Sequence, residues 1–184
     1  ESEVAIPNAP LYGYKDKNRK YWYDVSTAVD DFLTLVPSKK LILGNPWYGV
    51  DVAVEEPSLT SLTIPTWYWG TQTKTRLYSY AKDEITQSMD GISNFKSGFD
   101  GLSKTAWKAY YSLALGTWRM VFYDDVRSLS YKYDYAKTKN LLGVGMWAIG
   151  FEEGKQEMWD LLQNKFGPKF TVEQLINKPI HETI

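Results

Sequence analysis

The stretch Lys40-Leu41-Ile42-Leu43-Gly44-Asn45-Pro46-Trp47-Tyr48-Gly49 decides how the rest of the chain is read. Its first half is a short, almost wholly apolar run that ends on a glycine. Such a run predicts a strand buried on both faces of a parallel sheet. Asn45 to Gly49 then sit at the carboxyl end of that strand.

A second run of the same kind spans Leu141 to Ile149 and contains Gly143 and Gly145. Helical periodicity surrounds both. Val29, Phe32, Leu33 and Val36 fall on one face of a helix that Asp24 or Ser26 can cap and Pro37 ends. Asp124-Asp125 precedes a helix with Val126, Leu129, Tyr133 and Ala136 on its inner face. Gly154 opens a third helix, with Met158, Leu161, Leu162 and Phe166 facing inward and Gly167-Pro168 as its stop. Residues 1–24, rich in Pro, Asn, Gly and Tyr, read as an extended loop. Thr171-Val172-Glu173-Gln174 reads as a capping box for one short helix.

Residues 55–116 have a different texture, with scattered aromatics, many Thr and Ser, and several glycines. A helix over Leu77–Met89 and strands over Trp107–Leu115 and Thr117–Tyr123 are expected there. Outside this segment the order is helix, strand, helix, strand, helix, so the expected class is α/β with parallel strands and crossover helices. Two strands cannot cover their own faces and edges. The chain must therefore find its other strands elsewhere or belong to a larger barrel or sheet.

Composition narrows the function. The 184 residues carry 21 Lys plus Arg against 22 Asp plus Glu, a net charge of -1, which lacks the basic excess a nucleic-acid binder needs. No apolar run approaches the roughly 20 residues of a membrane span. The absence of cysteine removes disulfides, thiolate catalysis and zinc-thiolate sites. The single histidine, His181, lies in His181-Glu182-Thr183-Ile184, which lacks the second His of a zinc-protease helix. No metal and no cofactor is expected. No charged-then-apolar leader is visible at Glu1-Ser2-Glu3. Aromatics are the outlier, at 16% of all residues, more than one small core absorbs, so some rings are expected in clefts or on the surface.

Three strings in order resemble the C-terminal part of family 18 glycoside hydrolases, the chitinase-like TIM barrels. Lys40 to Gly49 resembles the seventh barrel strand. Val121-Phe122-Tyr123-Asp124-Asp125-Val126-Arg127-Ser128-Leu129, followed by Lys132, resembles the approach to the seventh helix. Leu142-Gly143-Val144-Gly145-Met146-Trp147-Ala148-Ile149 resembles the eighth strand with its terminal Trp. Asn8-Ala9-Pro10-Leu11-Tyr12-Gly13 is similar to the loop after the sixth strand. The resemblance implies the C-terminal portion of a (β/α)8 barrel, strands seven and eight with flanking helices, carrying a small α+β insertion. Its boundaries would be 1–54 for the loop after strand six, helix six and strand seven, and 55–118 for the insertion. Residues 119–167 would hold helix seven, strand eight and helix eight, and 168–184 a tail.

The family's catalytic signature, D-x-x-D-x-D-x-E, is not in this sequence. Ser97-Gly98-Phe99-Asp100-Gly101-Leu102 imitates its opening but continues Ser103-Lys104-Thr105, without the acids. No catalytic residue is therefore assigned here. A barrel takes about 250 residues and eight strands, so the resemblance implies the N-terminal part of the same barrel as a partner. It also implies substrate-assisted, retaining hydrolysis of β-1,4-linked N-acetylglucosamine polymers, chitin or peptidoglycan, by a secreted or cell-surface protein. A non-catalytic lectin-like or scaffolding protein of the same fold is the alternative.

The resemblance places Trp147 beneath the sugar at the cleavage site, and an indole face suits the C–H groups of a pyranose. Trp47 and Tyr48 end the other strand, and for them ligand contact and core packing stand equal. Many family members carry an Arg after Tyr-Gly that reaches toward sugar, and here the position is Val50. Asp124 and Asp125 read better as a helix cap and a turn bond than as a paired-carboxylate site. Glu152-Glu153 reads as a solvated loop. Trp67-Tyr68-Trp69 is either a glycan grip or the insertion's own core, with the middle ring favouring core.

Overall fold

The structure, a computed structural model, describes residues 3–13 and 24–168. The expected capping box at Thr171–Gln174, His181 and part of the N-terminal loop lie outside the described residues. Helix α1 (Val25–Leu33) is followed by strand β1 (Ile42–Pro46) and, directly after Trp47, by β2 (Tyr48–Val54). Strands β3 (Lys74–Leu77), β4 (Ile92–Asp100), β5 (Thr105–Ser112) and β6 (Thr117–Tyr123) come next. Helix α2 (Val126–Thr138), β7 (Gly143–Trp147) and α3 (Gln156–Phe166) complete the described elements.

Two sheets form. β1 and β7 pair in parallel, with Ile42 opposite Gly143 and Pro46 opposite Trp147. The other five strands make an antiparallel sheet in the order β3-β2-β6-β5-β4. The antiparallel sheet runs from Tyr48 to Tyr123, wider on both sides than the 55–118 expected for an insertion. Tyr48–Val54 leaves the β1–β7 pair after Trp47 and joins a new ladder, with Val50 opposite Phe122 and Val54 opposite Trp118. The expected helix over Leu77–Met89 is shorter: β3 ends at Leu77, residues 78–84 are helical with Tyr80–Glu84 as a π-helix, and the helix stops before Met89.

β1 is not buried on both faces. Leu43 is buried but Ile42 is 60% exposed, and every residue of β7 is partly or largely exposed. A two-stranded sheet has helices on one side only, so its second face stays open. The helix boundaries follow their caps. Asp24 accepts from Thr27 N at 2.7 Å and from Gly13 N at 2.6 Å, joining α1 to the N-terminal segment. Burial opposes ionisation of Asp24, but bonds from Ser26, Thr27 and Gly13 outweigh it and hold the carboxyl below its ordinary value. Asp125 caps α2 through Ser128 N at 2.8 Å. Asp124 is not a turn acceptor but forms a fully buried ion pair with Lys132. Its burial dominates and holds the carboxyl above the usual range, against the pull of Lys132.

One core joins the two sheets. Trp47, Tyr78, Ile85, Val121, Leu129 and Met158 belong to a single buried cluster that takes residues from the insertion, α2 and α3. The insertion has a second, charged seat. Asp51 is fully buried on β2 and accepts from Arg119 Nε at 2.6 Å, Arg76 Nε at 2.8 Å and Tyr110 Oη at 3.2 Å. Three neighbouring strands are thereby held to one carboxylate.

Candidate functional site

The carboxyl ends of β1 and β7 open onto a cavity of about 400 Å³, lined by Asn8, Asn45, Pro46, Tyr48, Met146 and Trp147 among others. Each wall has a local cause. Alternation along β1 puts Leu43 and Asn45 on the same, buried face, and Asn45 lies next to the cavity because it stands at the carboxyl end of the strand. Asn45 Nδ2 donates to the carbonyls of Leu43 at 2.9 Å and Gly145 at 3.3 Å, stitching the two strands together. Asn8 Nδ2 donates to the Tyr48 carbonyl at 3.3 Å and brings the N-terminal segment to the rim. Both amide oxygens, Asn8 Oδ1 and Asn45 Oδ1, are buried with no hydrogen-bond partner. Buried acceptors left unpaired are costly, so two at one cavity mark a place suited to a donor from outside.

Trp147 ends β7 with its ring 71% exposed, and its peptide bond to Ala148 is cis. Tyr48 is half-buried at the opposite rim, edge-on to Phe151 with ring centroids 6.3 Å apart. Trp47 is not at the cavity. It is fully buried, and its ring meets Trp159 edge-on at 5.0 Å. The equal standing of contact and packing resolves to packing, because the chain bends at Trp47 between β1 and β2 and the ring belongs to the common core. Glu152 is a second correction. It is buried, accepts from Gly150 N at 2.7 Å and from Trp159 Nε1 at 3.2 Å, and fixes the turn into α3. Glu153 accepts from the Ser79 hydroxyl and ties that turn to the insertion.

The two asparagines were missed by sequence reasoning. The signal was present in Asn45, a polar residue closing an apolar strand, which invites the question of what it bonds. Asn8 carries no local signal, since only the fold brings it beside Tyr48.

Among the described residues, no group of three or more His, Asp or Glu side chains is placed to hold a metal ion. None of the described helices is long and apolar enough to cross a membrane. What the cavity offers is an aromatic plate, a tyrosine and unpaired amide acceptors, which suits a neutral ligand with apolar faces and hydroxyl or amide donors.

Several known proteins are similar to this chain. Human di-N-acetylchitobiase is 25% identical over 158 residues, a match covering 76% of this chain and 39% of the human protein. A chitinase from Rhizomucor miehei superposes with a TM-score of 0.68 at 23% identity, over 89% of this chain and 49% of that one. A chitinase-like agglutinin from Robinia pseudoacacia superposes at 0.63 and 21% identity, over 90% of this chain and 42% of its own. The chain spans about two fifths of the length of the human relative. The model of the glycosyl hydrolases family 18 matches residues 1–152. With the paired strand ends, the exposed terminal tryptophan and that match together, the chain belongs to glycoside hydrolase family 18.

Proposed function

We propose that this chain is the C-terminal part of a chitinase-like hydrolase acting on β-1,4-linked N-acetylglucosamine polymers. The observation that carries the reading is the exposed indole of Trp147 beside the unpaired amide oxygens of Asn8 and Asn45. The pyranose ring lies on the indole, and its polar groups supply the missing donors.

The reaction is substrate-assisted retention. The N-acetyl oxygen of the bound sugar attacks the anomeric carbon, while a glutamic acid protonates the leaving oxygen. That acid comes from the N-terminal part of the same barrel, because the D-x-x-D-x-D-x-E string is not in this sequence. The open face of β1 and β7 is where that part docks. Ile42 is exposed there, and an apolar cavity of about 310 Å³ between α1 and β1 lies alongside. A secreted or cell-surface location fits a polymeric extracellular substrate.

The lectin-like reading is favoured by one observation, the fold shared with an agglutinin. One experiment separates them. The chain is mixed with the N-terminal part of its parent, and release of N-acetylglucosamine oligomers from chitin is measured beside binding. Hydrolysis by the mixture but not by the chain alone supports the enzyme. Binding without hydrolysis selects the lectin. Sustained hydrolysis by the chain alone would overturn the assignment of the acid to another segment.

A further inference from the structure

The turn that joins β7 to α3, residues 148–155, is bent more sharply than its sequence alone favours. Gly150, Glu153 and Gly154 all lie in the left-handed region, at φ +93, +49 and +76. The two glycines adopt it freely. Glu153 carries a Cβ and persists there only where its surroundings outweigh the cost. Within the turn, Glu153 N donates to Gly150 O and Lys155 N to Glu152 O, each at 3.1 Å. A further hold comes from the insertion. Tyr78 N donates to Phe151 O at 3.0 Å, and the Ser79 hydroxyl donates to the Glu153 carboxylate. Tyr78 and Ser79 open the helical segment 78–84, and both are buried.

Two ion pairs join the same partners further out, Lys155 with Asp83 at 2.5 Å and Glu157 with Lys82. All four side chains are partly exposed, where screening leaves little net attraction. A charge-assisted bond from a buried hydroxyl is stronger and better protected. Glu152 braces the turn against α3, whereas Glu153 braces it against the insertion. What the turn carries is cavity wall. Trp147 immediately precedes it, and Phe151 within it meets the Tyr48 ring edge-on. Trp147 and Tyr48 both line the cavity at the strand ends.

The geometry points to Glu153 as a positioning residue for that cavity: through Ser79 it fixes the turn after β7 to the insertion, so that Trp147 and Tyr48 keep their places on the wall. This rests on the function proposed above and gives the insertion a part in it. Glu153 acts through the turn and needs no contact with sugar. Without the Ser79 bond, the left-handed backbone at Glu153 loses a support and the turn relaxes. Phe151 then shifts from Tyr48, and the chain that follows Trp147 is freed.

The test compares Glu153→Ala, Glu153→Gln and Ser79→Ala with the unaltered full chain. Three readings are taken: amide hydrogen exchange of residues 148–155, calorimetric binding of tetra-N-acetylglucosamine, and melting temperature. Glu153→Ala should exchange about tenfold faster across the turn, the order of losing one hydrogen bond to a charged group. Its tetrasaccharide affinity should fall about fivefold, as the turn keeps its binding geometry in a minority of molecules. Its melting temperature should be unchanged, since Glu153 is exposed and outside the buried cluster. Glu153→Gln keeps an acceptor for the hydroxyl and should behave as the unaltered chain. Ser79→Ala should reproduce Glu153→Ala, and the double variant should lose nothing more. Unchanged exchange in Glu153→Ala would overturn the brace. Faster exchange, or a lower melting temperature, with undiminished affinity would overturn the positioning role and leave the Trp147 reading standing. An unaltered chain that binds no tetrasaccharide would sink the functional reading and this role with it.

Discussion

The backbone N–H of Trp47 donates to the carbonyl of Trp147 at 2.8 Å, and from that shared bond the two indoles part. One enters the core and the other faces solvent. Truncating them should therefore give opposite phenotypes. Trp47→Ala should cost about 3 to 5 kcal/mol of stability, as large buried-aromatic deletions do. Trp147→Ala should change stability by no more than about 0.5 kcal/mol, the range for exposed positions away from special features, while weakening N-acetylglucosamine oligomer binding. Denaturant unfolding and calorimetric titration on both variants decide. A collapsed melting transition in Trp147→Ala with unchanged affinity would make it a packing residue.

The buried carboxylate of Asp51 holds Arg119 and Arg76 together. Removing one partner leaves charge without compensation, so Asp51→Asn and Arg119→Met should each lose about 3 to 5 kcal/mol. The double variant should lose less than the sum, because the second change removes a charge already orphaned. Additive losses in denaturant titrations would mean that the residues do not act as a unit.

Lys108 gives a pH signature. It is buried on β5, and its ammonium donates to the carbonyls of Ile85, at 2.8 Å, and Lys82. Burial pushes its pKa down from 10.5 to about 8, with Asp83 pulling the other way. The unfolded chain binds the proton more tightly than the folded one through this window. Stability from this group thus rises as pH goes from about 8 toward 10.5. Melting curves of the chain and of Lys108→Met between pH 7 and 10 should differ in slope, with the rise missing from the variant. Parallel profiles would refute the assignment. The buried tyrosines, with Tyr110 and Tyr123 pushed up to about 12 by burial, oppose the trend only above pH 10.

With Ile42, Leu142 and Ile149 all exposed and one face of the β1–β7 pair open, the isolated chain should self-associate or bind a hydrophobic dye. Light scattering and dye fluorescence measure this. A dispersed, dye-silent monomer would mean that the face is covered from within.

The parts that were legible in sequence are those where one local rule acts without competition. Asp24 and Asp125 cap as read, Leu129, Tyr133 and Ala136 line the buried face of α2, and β1 and β7 end near their glycine-flanked predictions. In the antiparallel sheet, Thr117–Tyr123 was legible as a strand with its observed bounds and Trp107–Leu115 overlaps β5, whereas β2, β3 and β4 were not read. Its edge strand β4 alternates weakly because one side faces water and the ladder slips between Ser93 and Lys96. Tyr78, Ala81 and Ile85 are all buried at a helical spacing, and residues 78–84 are indeed helical, but the helix ends before Met89. At the site, Trp147 could be placed because a strand end points it outward. Trp47 and Glu152 could not, because their direction depends on chain bends that periodicity does not encode.

β2 and β6 are neighbours in the antiparallel sheet. Val50 lies opposite Phe122, so the path leaves β1 and returns to α2 through neighbouring strands. In connectivity the excursion is a hairpin that a short turn could replace at little loop-closure cost. Packing forbids so simple a loss. Trp47, Leu129 and Met158 share one cluster with Tyr78, Ile85 and Val121 of the insertion, and excision would leave them facing water. A version in which a turn joins Gly49 to Tyr123 should melt without cooperativity until those three positions are made polar. The excursion and the scaffold beneath it are therefore one cooperative unit, and neither can be changed alone without exposing the cluster they share.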